Sequence, residues 1–215
     1  SVVTQKQDLF SVTGEGKVTV VPDTAIVDLG ITVNKPTVKA AQTEANTVIK
    51  NITQSLRDLG IADKDVKTSN YSVYPQYDYQ PGSANHITGY QVNASITVTV
   101  REIDKVNQVI DAATEKGANI VDGIQLTVDE KQQKELLQQA RELAVKEAKE
   151  KANSLAGAAG ITLGKVVNVV EAGQVDFPRP LMAKADAGIG GGTPTQIQPG
   201  STDITSSVTL FYETR

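Results

Sequence analysis

The sequence predicts an α+β fold: a largely antiparallel mixed sheet carrying one long and two shorter helices, in the order ββαββαβαββ. Three observations predict it. Several segments alternate strictly between apolar and polar residues, as a strand with one buried face requires. Three others switch to helical periodicity. Gly, Pro and Asp punctuate the joins, as at Pro22-Asp23, Gly60 and Gly117.

The first strand spans 10–20, with Phe10, Val12, Gly14, Gly16, Val18 and Val20 on one face. After Pro22-Asp23 the parity reverses, and Ala25, Val27, Leu29, Ile31 and Val33 mark a second strand. From Thr37 the residues Val38, Ala41, Ala45, Val48, Ile49, Ile52, Leu56 and Leu59 form one helical stripe, and Gly60 stands at the C-cap position. Strands follow over 66–79 and 88–101, then a short helix over 104–116 and a strand over 120–128. Asp129, with Gln132 three residues on, opens a long helix reaching about Ala159. At 1.5 Å per residue, its roughly 30 residues span about 45 Å. Two last strands fall at 165–171 and 203–213. Between them, 173–200 is rich in Gly, Pro and Ala without a sustained period, and reads as a long loop. The expected organisation is a tail at 1–9 and one domain over 10–215.

With 21 Lys and Arg against 25 Asp and Glu the net charge is −4, and the basic residues are interleaved with acids. A nucleic-acid backbone binder needs clustered cations, so none is expected as a partner. The chain has no cysteine, which excludes a thiol nucleophile, a Cys-held metal and a disulfide. No run approaches the ~20 apolar residues of a membrane-spanning helix. The first residues lack a signal peptide's basic and apolar regions, although a cleaved signal would leave the same start.

Gly14-Glu-Gly-Lys17 has the look of a phosphate loop, but a P-loop needs Ser or Thr after the lysine and a helix beyond it. Here Val18 follows and the strand continues. Gly14 and Gly16 fall on the buried face, where a missing side chain admits close approach by other backbone. A matching surface exists in Ala140, Ala144, Ala148, Ala152 and Ala156, an unbroken i, i+4 ridge on the long helix. Small residues are expected to meet small residues there, within the monomer or between subunits.

His86 is the only histidine, in a polar hairpin tip, with no serine elbow to serve. The carboxylate pairs Asp63/Asp65, Glu102/Asp104 and Asp129/Glu130 stand at helix ends, where capping accounts for them. No metal-ligand spacing occurs, so the expectation is no catalytic residue, no metal and no cofactor. Asn51, Asn70 and Asn93 each open a glycosylation-type triplet, a pattern short enough to arise by chance.

Five of the six tyrosines lie within 71–90. By parity Tyr71, Val73, Tyr77 and Tyr79 share a face, Tyr90 lies on the apolar face of the next strand, and Tyr74 points the other way. Pro75 places this hairpin at a sheet edge or at a bulge. Tyrosine suits a surface dry along the ring and wet at the hydroxyl. Tyr71, Tyr74, Tyr77, Tyr79 and Tyr90 are therefore the candidate contacts of a homo-oligomer. The alternative is a small-ligand or peptide module using this hairpin or the 173–200 loop.

Six segments in order carry a family resemblance: "VTGEGKVTVVPDTAIVDLGITV" from Val12, "LGIADKDVKTSNYSVYPQYDY" from Leu59, "GYQVNASITVTV" from Gly89, "ATEKGANIVDGIQLTV" from Ala113, "ARELAVKEAKEKANSLAGAAGITLGKVVNVVE" from Ala140 and "IQPGSTDITSSVTLFYE" from Ile197. Together they resemble the SIMPL-domain family, a bacterial group that includes periplasmic immunogenic and oxidative stress defence proteins. The resemblance implies an exported, periplasmic or envelope-associated protein linked to envelope or oxidative stress, with its signal peptide removed. It also implies a large, channel-like homo-oligomer, and it transfers no catalytic residue. Residues 173–196 depart most from the pattern.

Overall fold

A computed structural model describes residues 9–172, 181–183 and 197–214. Apart from Leu9, the expected tail lies outside the described residues, as does most of the expected 173–200 loop. The strands are β1 (Phe10–Val20), β2 (Thr24–Lys35), β3 (Val66–Asp78), β4 (His86–Val100), β5 (Ile120–Thr127), β6 (Leu163–Glu171), β7 (Leu181–Ala183) and β8 (Thr202–Thr214). The helices are α1 (Val38–Asp58), α2 (Val106–Glu115) and α3 (Glu130–Ala159). The fold class and the order of elements agree with the sequence reading, and β7 is an addition. Its Leu-Met-Ala triplet lies inside the expected loop and is too short to show a period, yet it pairs antiparallel with β5.

The strands divide between two sheets, in which every pairing is antiparallel, and the chain between two compact units. In the first unit the sheet order is β1-β8-β6, and α3 lies on it. β1 and β8 pair without interruption from Phe10 opposite Tyr212 to Val20 opposite Thr202. Their even-numbered residues face the helix, so Val12, Ile204, Val208, Leu210 and Tyr212 are buried against Leu137 and the alanine ridge. Phe10 closes one end, its ring edge-on to Tyr212 at 6.2 Å between centroids. The Asp129 carboxylate accepts the Lys131 N–H at 3.0 Å to start α3. Gly160, at φ 71°, ends it in the left-handed conformation.

In the second unit the sheet order is β3-β4-β2-β5-β7. Helices α1 and α2 bury Ile52, Leu56, Val106 and Val109 against Val27, Leu29, Ile96, Val98, Ile124 and Leu126. Thr37 caps α1 by accepting the Ala40 N–H at 3.2 Å. Asn119 fastens to the Thr32 backbone with two hydrogen bonds, of 2.9 and 3.0 Å.

Candidate functional site

The tyrosine hairpin is built by β3 and β4, with β3 at the edge of its sheet, where Pro75 costs no ladder bond to a further strand. Two bulges shape it. Ser69 is the extra residue between Thr68 and Asn70, and Thr88 is the extra residue opposite Gln76 and Tyr77. From Asn70 onward the alternation of β3 is unbroken, so Tyr71, Val73 and Tyr77 share a face, and Tyr79, one residue past the end of the strand, sets its ring beside that of Tyr77. Val73 lies opposite Val92 and packs on the cluster beneath α1. The Thr88 bulge brings Ile87 opposite Tyr77, adding an apolar residue to that face. Tyr74, opposite Gln91, points the other way.

On either side of Val73 this face is exposed. Tyr71 and Tyr77 are exposed, and Tyr79 keeps 72% of its surface. Tyr74 is 56% exposed, while Tyr90 is half-buried. The Tyr77 and Tyr79 rings lie 6.3 Å apart, tilted by 52°. His86 stands opposite Asp78 and is exposed. The result is an aromatic strip along an edge strand, wet at the hydroxyls.

The glycines of β1 meet the alanines of α3 backbone to backbone. A Cβ placed at Gly16 would overlap the Ala140 carbonyl and lie 2.6 Å from the Ala144 nitrogen. One at Gly14 would overlap the Ala144 carbonyl and lie 2.8 Å from the Ala148 Cβ. Ala152 and Ala156 continue the buried ridge. The contact lies inside one chain, one of the two arrangements that the spacing leaves open.

Around this seam the structure gathers charged groups that sequence reasoning missed. The Glu15 N–H donates to the Glu147 carboxylate, and Lys151 bridges to Glu147 at 3.2 Å. The Arg141 guanidinium donates to Glu171 at 2.7 Å, and the Ser206 hydroxyl donates to the same carboxylate at 3.0 Å. Asp203 accepts from the Thr19 hydroxyl at 2.7 Å, with Lys17 at 3.5 Å. All three carboxyls are held below their ordinary range: Glu147 chiefly by the Glu15 N–H, Glu171 by Arg141 and Asp203 by Thr19. Glu15, Lys17, Glu147, Glu171 and Ser206 line a cleft of about 510 Å³.

The chemistry open to this cleft is limited. Ser206 is buried and donates to Glu171, but a carboxylate already stabilised by Arg141 is a weak general base for activating that hydroxyl. Among the described residues no three His, Asp or Glu side chains are placed to hold a metal ion. The carboxylates flagged in the sequence are spread over helix ends: Asp65 is buried and takes two hydrogen bonds from Arg101, Asp63 pairs with Arg57, and Glu102 pairs with Lys105.

The SIMPL family, described as "Protein of unknown function (DUF541)", matches residues 10–212. The chain belongs to that family. It is 34% identical to the 26 kDa periplasmic immunogenic protein of Brucella melitensis biotype 1, over 80% of this chain and 70% of that protein. It is 31% identical to the uncharacterized protein YggE of Escherichia coli strain K12, over 81% of this chain and 70% of that protein. Neither name denotes an enzyme. No helix among the described residues is long and apolar enough to cross a membrane.

Proposed function

We propose that this SIMPL-family chain is an exported, envelope-associated protein that acts without catalysis, by assembling with copies of itself. The tyrosine hairpin is the subunit contact. The observation that carries this reading is the strip formed by Tyr71, Tyr77, Tyr79 and Ile87, exposed along β3, whose outer edge has no partner strand among the described residues. A strand edge presents unpaired backbone donors and acceptors, and tyrosine rings beside it add area with little side-chain entropy to lose. The name of the Brucella relative supports a periplasmic setting. The link to envelope or oxidative stress, and the channel-like form of the assembly, rest on the resemblance alone.

The same edge also supports a second reading, since an extended peptide can add to an exposed strand. One double variant separates the two. Tyr77→Ser with Tyr79→Ser removes the most exposed part of the strip and leaves the buried residues untouched. Self-assembly predicts that light scattering shows a smaller particle while the far-ultraviolet circular dichroism is unchanged. An assembly of undiminished mass that has lost peptide binding would establish the binding module instead.

A further inference from the structure

Helices α1 and α2 cover one face of the five-stranded sheet, the face carrying Val92, Ala94 and Ile96 of β4. The opposite face is made of neutral polar side chains, set by strand pairing in rows across β3, β4 and β2. Tyr74, Gln91 and Asn34 form one row, and Ser72, Asn93 and Thr32 form the next. Asn70, Ser95 and Gly30 form a third. No Asp, Glu, Lys or Arg stands in these rows, although 21% of the chain is charged. Charge returns in the fourth row, with Lys67 and Asp28 on either side of Thr97. In the three neutral rows every residue except Gly30 is half-buried or exposed, and Tyr74 keeps 56% of its surface.

The central amides of this face hold one another in place. Asn93 Oδ1 accepts from Gln91 Nε2 at 3.0 Å and from the Thr32 hydroxyl at 2.8 Å, which occupies both of its lone pairs. Gln76 Nε2 donates to Gln91 Oε1 at 3.4 Å, so the network continues onto β3. The Asn93 amide nitrogen is left without a partner among the described residues, and so are the side chains of Asn34, Ser72 and Ser95. These groups offer donors and acceptors to whatever lies on the face. Because Gln91 and Asn93 are already oriented, they offer theirs at little cost in side-chain freedom.

A ligand that matches this surface is neutral, rich in hydroxyls and flat. An ionised ligand would lose water here with no opposite charge to meet. Hydroxyls both donate and accept, as carboxamides do, and the C–H face of a sugar ring packs on an exposed aromatic ring. Strand faces bind oligosaccharides in OB-folds. We propose that the outer face of β3, β4 and β2 binds an extended, neutral oligosaccharide. The sugar chain lies across the strands, with one ring stacked on Tyr74 and the next over Gln91 and Asn34. Neighbouring strands stand about 4.7–4.9 Å apart, close to the advance per ring of a β-1,4-linked pyranose chain. The site is on the opposite face of β3 from Tyr71 and Tyr77, and it does not rest on the subunit contact.

The test is isothermal titration calorimetry of the whole chain with cellotetraose and with chitotetraose. At least one should bind saturably, at one site per chain, in the millimolar range or tighter. Maltotetraose, whose α-links coil the chain, should bind roughly tenfold more weakly. Tyr74→Ala should lower the affinity roughly tenfold by removing the stacking ring. Asn93→Asp keeps the oxygen that Gln91 and Thr32 bond, but removes the outward donor and adds a charge. It should weaken binding by at least as much, with circular dichroism unchanged. The Tyr77→Ser/Tyr79→Ser variant should bind as the parent does, so failure of the hairpin contact is read separately. Binding of neither tetraose, equal affinity for maltotetraose, or indifference to both Tyr74→Ala and Asn93→Asp would overturn the proposal. So would loss of binding in the Tyr77→Ser/Tyr79→Ser variant.

Discussion

The two units bury their cores by opposite means. The second packs bulk against bulk: Ile52 and Leu56 of α1 interlock with Val27, Leu29, Ile96 and Val98 of the sheet. The first gives up side-chain volume to bring backbones together, with Gly14 and Gly16 of β1 seated on Ala140, Ala144 and Ala148 of α3. Less apolar area is available at that seam, and carboxylates on or beside it supply hydrogen bonds instead, through Glu147, Glu171 and Asp203. A core of large side chains is sensitive to atoms removed, and a seam of small ones to atoms added.

The largest expected effect is therefore Gly16→Val. Its Cβ alone would overlap the Ala140 carbonyl, and backbone cannot move aside as a side chain can. Overpacking typically costs about 1–3 kcal/mol and occasionally more, and with backbone as the obstacle the upper end is expected, seen as a fall in the urea midpoint, whereas Gly157→Ala, with open space at its Cβ position, should not destabilise. The mirror-image change in the second unit is Leu56→Ala. Its side chain is fully buried, so the cavity left costs roughly 3 kcal/mol. A Gly16→Val protein as stable as the parent would remove the contrast between the units.

Acid sharpens the comparison with a smaller effect. Glu147, Glu171 and Asp203 all have pKa values lowered by the fold, and all belong to the first unit. A carboxyl depressed in the folded state contributes stability that is present above its unfolded value, about 4, and is lost as pH falls through the folded value. Stability should thus decline below about pH 4. Glu147→Gln should flatten that decline in a series of urea midpoints against pH, because one of the linked protons no longer binds. An unchanged slope would show that the Glu15 contact carries no linkage.

The sequence reading is most accurate where one element's own period carries the information. Parity places Val12 and Val18 of β1 on the helix side, the i, i+4 ridge marks the buried face of α3, and the strand face holding Tyr71 and Tyr77 emerges intact. It is silent where two distant segments must meet. β1 pairs with β8, whose residues lie almost the whole chain away, and no periodicity reports that choice or the division into two sheets. The Glu147 carboxylate finds its donor 132 positions away at Glu15, so the pair leaves no local trace beyond an ordinary Glu147/Lys151 helix pair. The Thr88 bulge is equally hidden, and it decides that Ile87 joins the tyrosine face.

The central claim is that this chain functions as an assembly whose contact is the outer edge bearing the tyrosines. The mass of the native particle in solution tests it most directly. Self-assembly predicts one discrete species at an integer multiple of the chain mass, reduced to a smaller multiple by Tyr77→Ser with Tyr79→Ser. A clean monomer at physiological concentration would contradict it.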